Sequence, residues 1–402
     1  MRILYISQFY EPENIAPAFR ATEHSRIWVS EGADVTVLTG YPNYPIGKVF
    51  DGYEVQLLHE EELCGVRLLR SKLIAKPNTN FVNRIQNGLS FFLYGMKNLR
   101  ANKKAFEDSY DVVFATSGTV FAGYLGYRYA KKLHLPFVIE YRDLTYSQLI
   151  ATGTSKGSLK YKGMKWLELM MAKKASKVIV LTNSFKSTLA ADGVDVYKIV
   201  VVPNGADIVE LSPINHQGLK LGYFGTMGLS QVIPETIRVF SCLDSVLSDF
   251  EYLLIGEGAA RSSVEEAASG EGAGFVRLLR GMSKDELEPF YAELDMSVVS
   301  LRKSNAFSGT IPSKIFQSWA RGIPVLFYGP DGEAARMIRG YGLGITLCGT
   351  DDENRQILTD FFDGRDWKHD LKNMREQARS IMTEHYTRDR LAKALLKELE
   401  TV

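Results

Sequence analysis

Lys314 stands where a chain can hold a phosphate. Ahead of it run Ser308-Gly309-Thr310-Ile311-Pro312-Ser313, small and turn-forming. After it Ile315-Phe316-Gln317-Ser318-Trp319-Ala320-Arg321 carries a short helical pattern that Gly322 ends, and residues 324–327 form an apolar strand pattern. Pro suits an early helical position and Ser caps orphan amides, so Pro312 and Ser313 are expected to open the helix. Free N–H groups and the positive end of the helix dipole would then face an anion, and Lys314 adds a full charge. The same grammar also serves an ordinary loop–helix–strand turn. A second glycine-containing loop, Gly225-Thr226-Met227-Gly228, follows the apolar run 219–224. It would leave the carboxyl end of a strand, where open α/β sheets bind ligands, and its glycines would admit a ligand close to the backbone. Arg142-Asp143 ends the apolar run 136–141. A carboxylate there could orient or partly deprotonate a hydroxyl, or it could cap a turn beside a structural ion pair. Glu257, within Gly256-Glu257-Gly258, reads as a turn residue.

The elements that must position these residues alternate in type. Residues 2–7 read as a strand, 20–31 as a helix closed by Gly32, and 34–39 as a second strand. That β–α–β opening begins a doubly wound sheet. No GxGxxG follows the first strand, which disfavours a dinucleotide site. Next come a strand pair at 55–58 and 66–73 joined by acidic residues, a long helix over 80–106, and alternating strands and helices to residue 202. Pro203-Asn204-Gly205-Ala206-Asp207 breaks the pattern, and a polar stretch to Gly218 marks a domain boundary. Alternation restarts at 219, and 351–402 is charged helical pattern with no strand signal. The expected fold is α/β, with two tandem Rossmann-like sheets.

Length and composition agree. The chain has 402 residues, enough for two domains. Its three cysteines, Cys64, Cys242 and Cys348, give neither metal spacing nor a disulfide framework, which fits a reducing compartment. The six histidines are scattered too. Met1 leads straight into a strand, so no signal peptide is expected. The longest uncharged run, 112–127, is interrupted by Thr-Ser-Gly-Thr and falls short of the roughly 18 residues of a membrane span. Charge is unevenly placed. Residues 1–203 hold 26 Lys+Arg against 18 Asp+Glu, whereas 204–402 hold 22 against 29. A basic first half suggests an anionic surface or ligand on that side.

Taken in order, these pieces resemble the GT-B glycosyltransferases of the family-4 type. In particular they resemble the bacterial subgroup of L-fucosamine (N-acetylfucosamine) transferases that build O-antigen and capsule repeat units. The matching stretches are the proline-rich loop before Arg20, the run from Thr39 to Lys48, Tyr141-Arg142-Asp143-Leu144 and Val202-Pro203-Asn204-Gly205-Ala206-Asp207. They continue with Tyr223-Phe224-Gly225-Thr226-Met227-Gly228, Ile255-Gly256-Glu257-Gly258 and Pro312-Ser313-Lys314-Ile315-Phe316-Gln317, with Ala320, Gly322, Pro324 and Val325. The resemblance implies two Rossmann-like domains facing a cleft. Residues 1–203 would take the acceptor and 204–385 the nucleotide sugar, with a last helix over about 386–402 crossing back to the first domain.

It also implies a retaining, metal-independent transfer from a nucleoside-diphosphate sugar with no further cofactor. Donor contacts would come from Gly225, Thr226, Met227, Gly228, Pro312, Ser313, Lys314, Ile315 and Gln317, and the base would pack near Arg280, Gly281 and Met282. Asp143 and Arg142 would lie near the reacting sugar and, with Lys314, form the catalytic set. Arg20, Asn43 and Tyr44 would meet the acceptor, a glycan or a polyprenyl-diphosphate-linked sugar. The sequence departs from the family pattern at Gln317 and Gly309, where the family commonly has acidic residues. Gln can still hydrogen-bond a ribose but carries no charge.

Two stretches of the first half mix basic and bulky apolar residues. Residues 81–104 hold Arg84, Lys97, Arg100, Lys103 and Lys104 with no acid, and 154–177 hold seven lysines against Glu168 alone. This is the composition of helices lying on an anionic membrane, and equally of solvated lysine faces over a core. Nucleic acid would suit the same charges, but no recognition motif accompanies them. The expectation is a cytoplasmic protein in peripheral contact with the inner face of the membrane. Two other functions share the fold: a sugar-nucleotide 2-epimerase, for which the scattered histidines offer little acid–base chemistry, and a non-catalytic transferase-like subunit of a polysaccharide complex.

Overall fold

A computed structural model describes residues 1–78, 81–106, 110–151, 153–210, 216–364 and 366–402. Asn80, at the expected start of the long helix, and residues 211–215 of the expected linker lie outside these. The chain forms two compact units, Met1–Pro203 with Arg388–Val402, and Asn204–Thr387.

The first unit is built on β1 (Arg2–Ile6), β2 (Asp34–Gly40), β3 (Leu58–Leu63), β4 (Val66–Ser71), β5 (Val112–Thr116), β6 (Phe137–Tyr141), β7 (Lys177–Val180) and β8 (Ile199–Val201). Their order is β3-β4-β2-β1-β5-β6-β7-β8, parallel except for the β3–β4 pair. Strands buried on both faces read as continuous apolar runs, and β1 shows why. Leu4 and Ile6 enter one core with helices Phe81–Ala101, Val120–Leu133 and Leu159–Lys174, while Ile3 and Tyr5 enter the opposite core with helices Ala16–Ser30 and Arg388–Leu399. The last helix offers Leu391, Ala392, Leu395, Leu396 and Leu399 as one buried stripe. Trp28 Nε1 donates to Ala392 O at 2.8 Å, and Arg388 Nη1 meets Glu23 at 2.6 Å. The chain's end thus packs back on its first unit, as the resemblance implies.

The second unit is built on β9 (Leu219–Phe224), β10 (Phe250–Ile255), β11 (Val276–Leu279), β12 (Met296–Ser300), β13 (Val325–Tyr328) and β14 (Gly344–Leu347). Their order is β11-β10-β9-β12-β13-β14, all parallel. Side chains alternate here as well. Val298 and Leu326 face one core, and Val299 and Phe327 the other. Among the described residues, α-helices Asp351–Phe362, Trp367–Ile381 and Arg388–Leu399, with a further helical turn at Met382–Tyr386, close the chain and no strand lies among them, as the charged pattern predicts.

The structure corrects several local expectations. The first strand of the hairpin is Leu58–Leu63, not 55–58, so the acidic residues expected to connect two strands are themselves a strand. They are held by cross-strand charge: Glu60 pairs with Arg67 and Glu61 with Arg70, each at 2.6 Å. The first helix starts at Ala16 rather than residue 20, with Pro17 in its opening turn. The helix Thr145–Ala151 has no counterpart in the sequence reading. Ser313 does not cap the helix Ser313–Trp319. Pro312 occupies the cap position without a side-chain hydrogen bond, and Ser313 is already helical.

Candidate functional site

In the second unit, strand order runs from β9 to β10 and β11 on one side and from β12 to β14 on the other. The switch point lies between β9 and β12, and ligands of open sheets sit outside the carboxyl ends of such strands. Gly225-Thr226-Met227-Gly228 leaves β9 there. The helix Ser313–Trp319 follows β12 through the loop 301–312. That loop is pinned at Ser308, whose carbonyl accepts from Glu333 N at 2.7 Å; a Cβ on Gly332 would come 2.2 Å from the same oxygen.

Lys314 and Gly225 meet at this point. Gly225 has φ +128°, and a Cβ added to it would stand 3.0 Å from both Cε and Nζ of Lys314. A side chain there would have to displace the ammonium. Lys314 Nζ lies 3.7 Å from the centre of the Tyr223 ring. The residue is partly exposed, and protein crowds around its ammonium end. Burial pulls it down to about 7, and no neighbouring charge offsets this. A cation over an aromatic face gains about 0.5–2 kcal/mol, and the ring does not neutralise the charge. The site therefore holds a partly desolvated cation with no charged neighbour.

A second loop supports the first. Gly225 N donates to Ile255 O, Met227 N to Glu257 O and Ala260 N to Met227 O, each at 2.8 Å. Gly256 is required by contact, since a Cβ there would fall 1.9 Å from Gly225 O. Arg261 Nη1 donates to Gly256 O and Leu279 O at 2.7 Å, and Glu257 Oε1 accepts from Gly281 N at 3.2 Å. Met227 and Ile315 are core side chains, so a ligand could reach them only through their backbone. Met282 packs with Phe224, Leu253 and Ile255. Thr226, Arg280, Gly281 and Ser313 are exposed; Gly228, Pro312 and Gln317 are partly so. Gln317 O accepts from Arg321 Nη1 at 2.9 Å.

In the first unit the switch point lies between β1 and β5. A buried polar network spans their carboxyl ends. Thr119 Oγ1 donates to Gln8 Oε1 at 2.6 Å, Gln8 Nε2 to Asn87 Oδ1 at 2.5 Å, and Asn87 Nδ2 to Asn43 Oδ1 at 2.8 Å. Asn43 Nδ2 donates to Tyr41 O at 2.9 Å, so that side chain is spent on the fold. Glu13 Oε1 accepts from the amides of Asn43 and Tyr44 at 2.9 and 3.0 Å, and burial lifts its carboxyl to about 7. Tyr44 is partly exposed, edge-on to Phe9 at 6.2 Å.

Arg20 is buried as well. Its Nη2 stands 2.7 Å and its Nε 2.9 Å from Glu140 Oε1, while Thr116 Oγ1 donates to Glu140 Oε2 at 2.8 Å. Despite desolvation, Arg20 and its neighbours hold the Glu140 carboxyl down at about 2. Of the three residues expected at the acceptor, only Tyr44 keeps an uncommitted, partly exposed side chain. Arg142 and Asp143 follow β6 directly. Burial raises Asp143 to about 6 against the pull of Arg142 and a hydrogen bond from Gln148. The next helix begins on a buried carboxylate, for Glu168 accepts from Thr145 N and Tyr146 N at 3.2 Å each.

Sequence reasoning missed Tyr223, Glu13, Glu140 and Glu168. For Glu140 a signal existed: a lone acid inside the apolar run Phe137–Tyr141, which needs a buried cation. For Tyr223 none did, because only the folded chain shows which ring underlies Lys314. Among the described residues, no group of three or more His, Cys, Asp or Glu is placed to hold a metal ion.

Comparison with known proteins agrees with this architecture. Residues 17–205 match the model of the glycosyl transferase 4-like domain. No curated protein matches the chain. Among solved structures, sucrose-phosphate synthase from Thermosynechococcus elongatus superposes with a TM-score of 0.73 at 13% identity, over 100% of this chain and 98% of that one. The Anabaena protein HepE, in complex with UDP, gives 0.68 at 13% identity over 100% of both chains. The lipopolysaccharide outer core galactosyltransferase WaaB gives 0.65 at 12% identity over 100% and 99%. At such identities the likeness establishes the GT-B fold. The domain at 17–205 and the fold of the whole chain are those of glycosyltransferases.

Proposed function

We propose that this glycosyltransferase is a retaining enzyme that moves a hexose from a nucleoside-diphosphate sugar, UDP-linked, to a polyprenyl-diphosphate-linked or other glycan acceptor in bacterial surface polysaccharide synthesis. An N-acetylated amino or deoxyamino hexose of the fucosamine type is the donor sugar we favour, on the sequence motifs. The observation that carries the reading is Lys314. Its ammonium is crowded by protein, lies against Tyr223 and Gly225 at a sheet switch point, and has no neighbouring charge to offset that crowding. A diphosphate would supply the missing counter-charge.

In this reading the leaving diphosphate gathers negative charge as the glycosidic bond breaks. Lys314 meets that charge, and a preorganised cation in a dry site needs no reorganisation to do so. The backbone of Gly225-Thr226-Met227-Gly228 lies alongside. Gln317 would reach the ribose, and Arg280, Gly281 and Met282 the base. In the first unit Asp143 would orient the acceptor hydroxyl, its raised pKa suiting a group that shares a proton near neutrality. HepE was solved with UDP and with UDP-glucose, which makes UDP the first nucleotide to try here.

The acceptor reading draws support from the surface of the first unit. Helices Phe81–Ala101 and Leu159–Lys174 both pack on the same core. Outward they show Val82 (60% exposed) and Leu93 (57%), and Leu159 (88%) and Trp166 (67%), beside exposed Arg84, Lys97, Arg100, Lys162, Lys173 and Lys174. Exposed bulky apolar groups within a cationic field suit an anionic bilayer surface. Among the described residues no helix is long and apolar enough to cross a membrane. The test of the function is a transfer assay with labelled UDP-sugars and polyprenyl-diphosphate-linked acceptors. Sugar reaching the lipid is expected. Tight donor binding without transfer to any acceptor would instead favour the non-catalytic subunit.

A further inference from the structure

Two arginines crowd one carboxylate at the carboxyl ends of β1, β5 and β6. Both oxygens of Glu140 are engaged, Oε1 by Arg20 Nε and Nη2 and Oε2 by Thr116 Oγ1. That leaves Arg142 as the surplus cation. Its Nε and Nη1 are buried and have no hydrogen-bond partner. Three more orphaned polar atoms belong to residues around the same ion pair: Tyr5 Oη, His24 Nδ1 and Ser117 Oγ. Tyr5 and His24 each feel Glu140, Arg20 and Arg142 electrostatically, and Ser117 N donates to Glu140 O at 2.8 Å. Asp143 attracts Arg142 without coming within ion-pair distance.

Native folds leave few buried donors unpaired, and each costs about 1–3 kcal/mol. A guanidinium that leaves two of its donors idle at the ligand end of a sheet is held away from a partner that arrives later. Arg142 is only partly buried as a residue, so it has a way out to that partner. We propose that Arg142 is the anion-binding residue of the first unit and that it takes a diphosphate group, its planar fork pairing with two phosphate oxygens. The deepened reading rests on the transferase function above, in which both the nucleotide donor and a lipid-linked acceptor carry a diphosphate. The shared chemistry is the diphosphate ester, and the two sources are separated by the choice of probe.

The test uses the full chain and calorimetric titration at low salt. In a Lys314→Ala background, which removes the cation of the second unit, inorganic pyrophosphate is titrated into protein with Arg142 intact, with Arg142→Gln and with Arg142→Lys. Arg142→Gln should weaken pyrophosphate binding at least tenfold, and Arg142→Lys should restore part of it. With Lys314 intact, a loss in the UDP titration assigns the donor as source, and a loss with detergent-solubilised polyprenyl diphosphate assigns the acceptor. Thermal unfolding without ligand checks the fold. Arg142→Leu should hold or raise the midpoint, because two unpaired buried donors disappear. A lowered midpoint with unchanged affinity for all three probes would make Arg142 a purely structural residue and overturn the proposal. A chain that binds UDP through Lys314 while its affinities for pyrophosphate and for polyprenyl diphosphate both ignore Arg142 would overturn this proposal alone. A chain that binds no nucleotide but loses pyrophosphate with Arg142 would overturn the donor reading instead.

Discussion

A partly desolvated lysine with no charged neighbour stands at the edge of ionisation, and that makes it measurable. With the free ammonium at about 7, Lys314 is half protonated near neutrality, and the protonated form is the one a diphosphate would select. Binding should raise its pKa and draw a proton from the buffer. Nucleotide affinity should fall roughly tenfold between pH 6 and pH 8, as the free lysine deprotonates. Titrations in buffers of different ionisation enthalpy would report proton uptake near pH 7; uptake unchanged in Lys314→Ala would assign it elsewhere. The Arg20–Glu140 pair is the opposite case, a satisfied buried charge. Removing one partner with Arg20→Ala should cost about 3–5 kcal/mol in urea unfolding, because it strands the other. The sign of its pH effect follows from the depressed carboxyl. Glu140 contributes stability above its unfolded pKa of about 4.3, and loses it as pH falls through about 2. At this scale the sequence made Lys314 legible through its setting of small residues, proline and a short helix. It could not show that Arg20 is turned inward, because Glu140 is 120 residues away.

The elements were legible wherever apolar runs were long. The parallel strands announced themselves that way except the edge strand Gly344–Leu347, which is short and holds only two buried residues, and the helical tail did so by its period. The hairpin escaped because Leu58–Leu63 is a charged edge strand, stabilised by ion pairs with β4 rather than by an apolar face. The helix Thr145–Ala151 escaped because it is short and begins on a carboxylate from another helix, Glu168, instead of its own cap. The returning helix Arg388–Leu399 gives the clearest test of packing at this scale. Leu395 is fully buried in the core that also holds Trp28 and Tyr5. Leu395→Ala should destabilise the first unit by about 2–5 kcal/mol, read as a lower unfolding midpoint in urea. A loss under about 0.5 kcal/mol, the range of surface substitutions, would mean that the helix is not part of that core.

For the whole molecule, charge and fold point in complementary directions. Residues 1–203 carry the basic excess and the helices with exposed Leu93, Leu159 and Trp166, whereas 204–402 are acidic overall yet hold the unpaired Lys314. Flotation with anionic vesicles should retain the protein at low salt and release it at high salt, and Trp166→Ser should weaken retention several-fold. Vesicles that never retain it would leave those helices as solvated faces. The central claim is that the second unit binds a nucleoside-diphosphate sugar through Lys314, and calorimetry with a panel of such sugars tests it directly. The wild-type chain should bind at least one of them, and Lys314→Ala should bind it about 10- to 100-fold more weakly, the loss of a charge-assisted contact worth about 1.5–3 kcal/mol. Equal affinity in the two proteins, or no binding of any nucleoside-diphosphate sugar by the wild type, would contradict it.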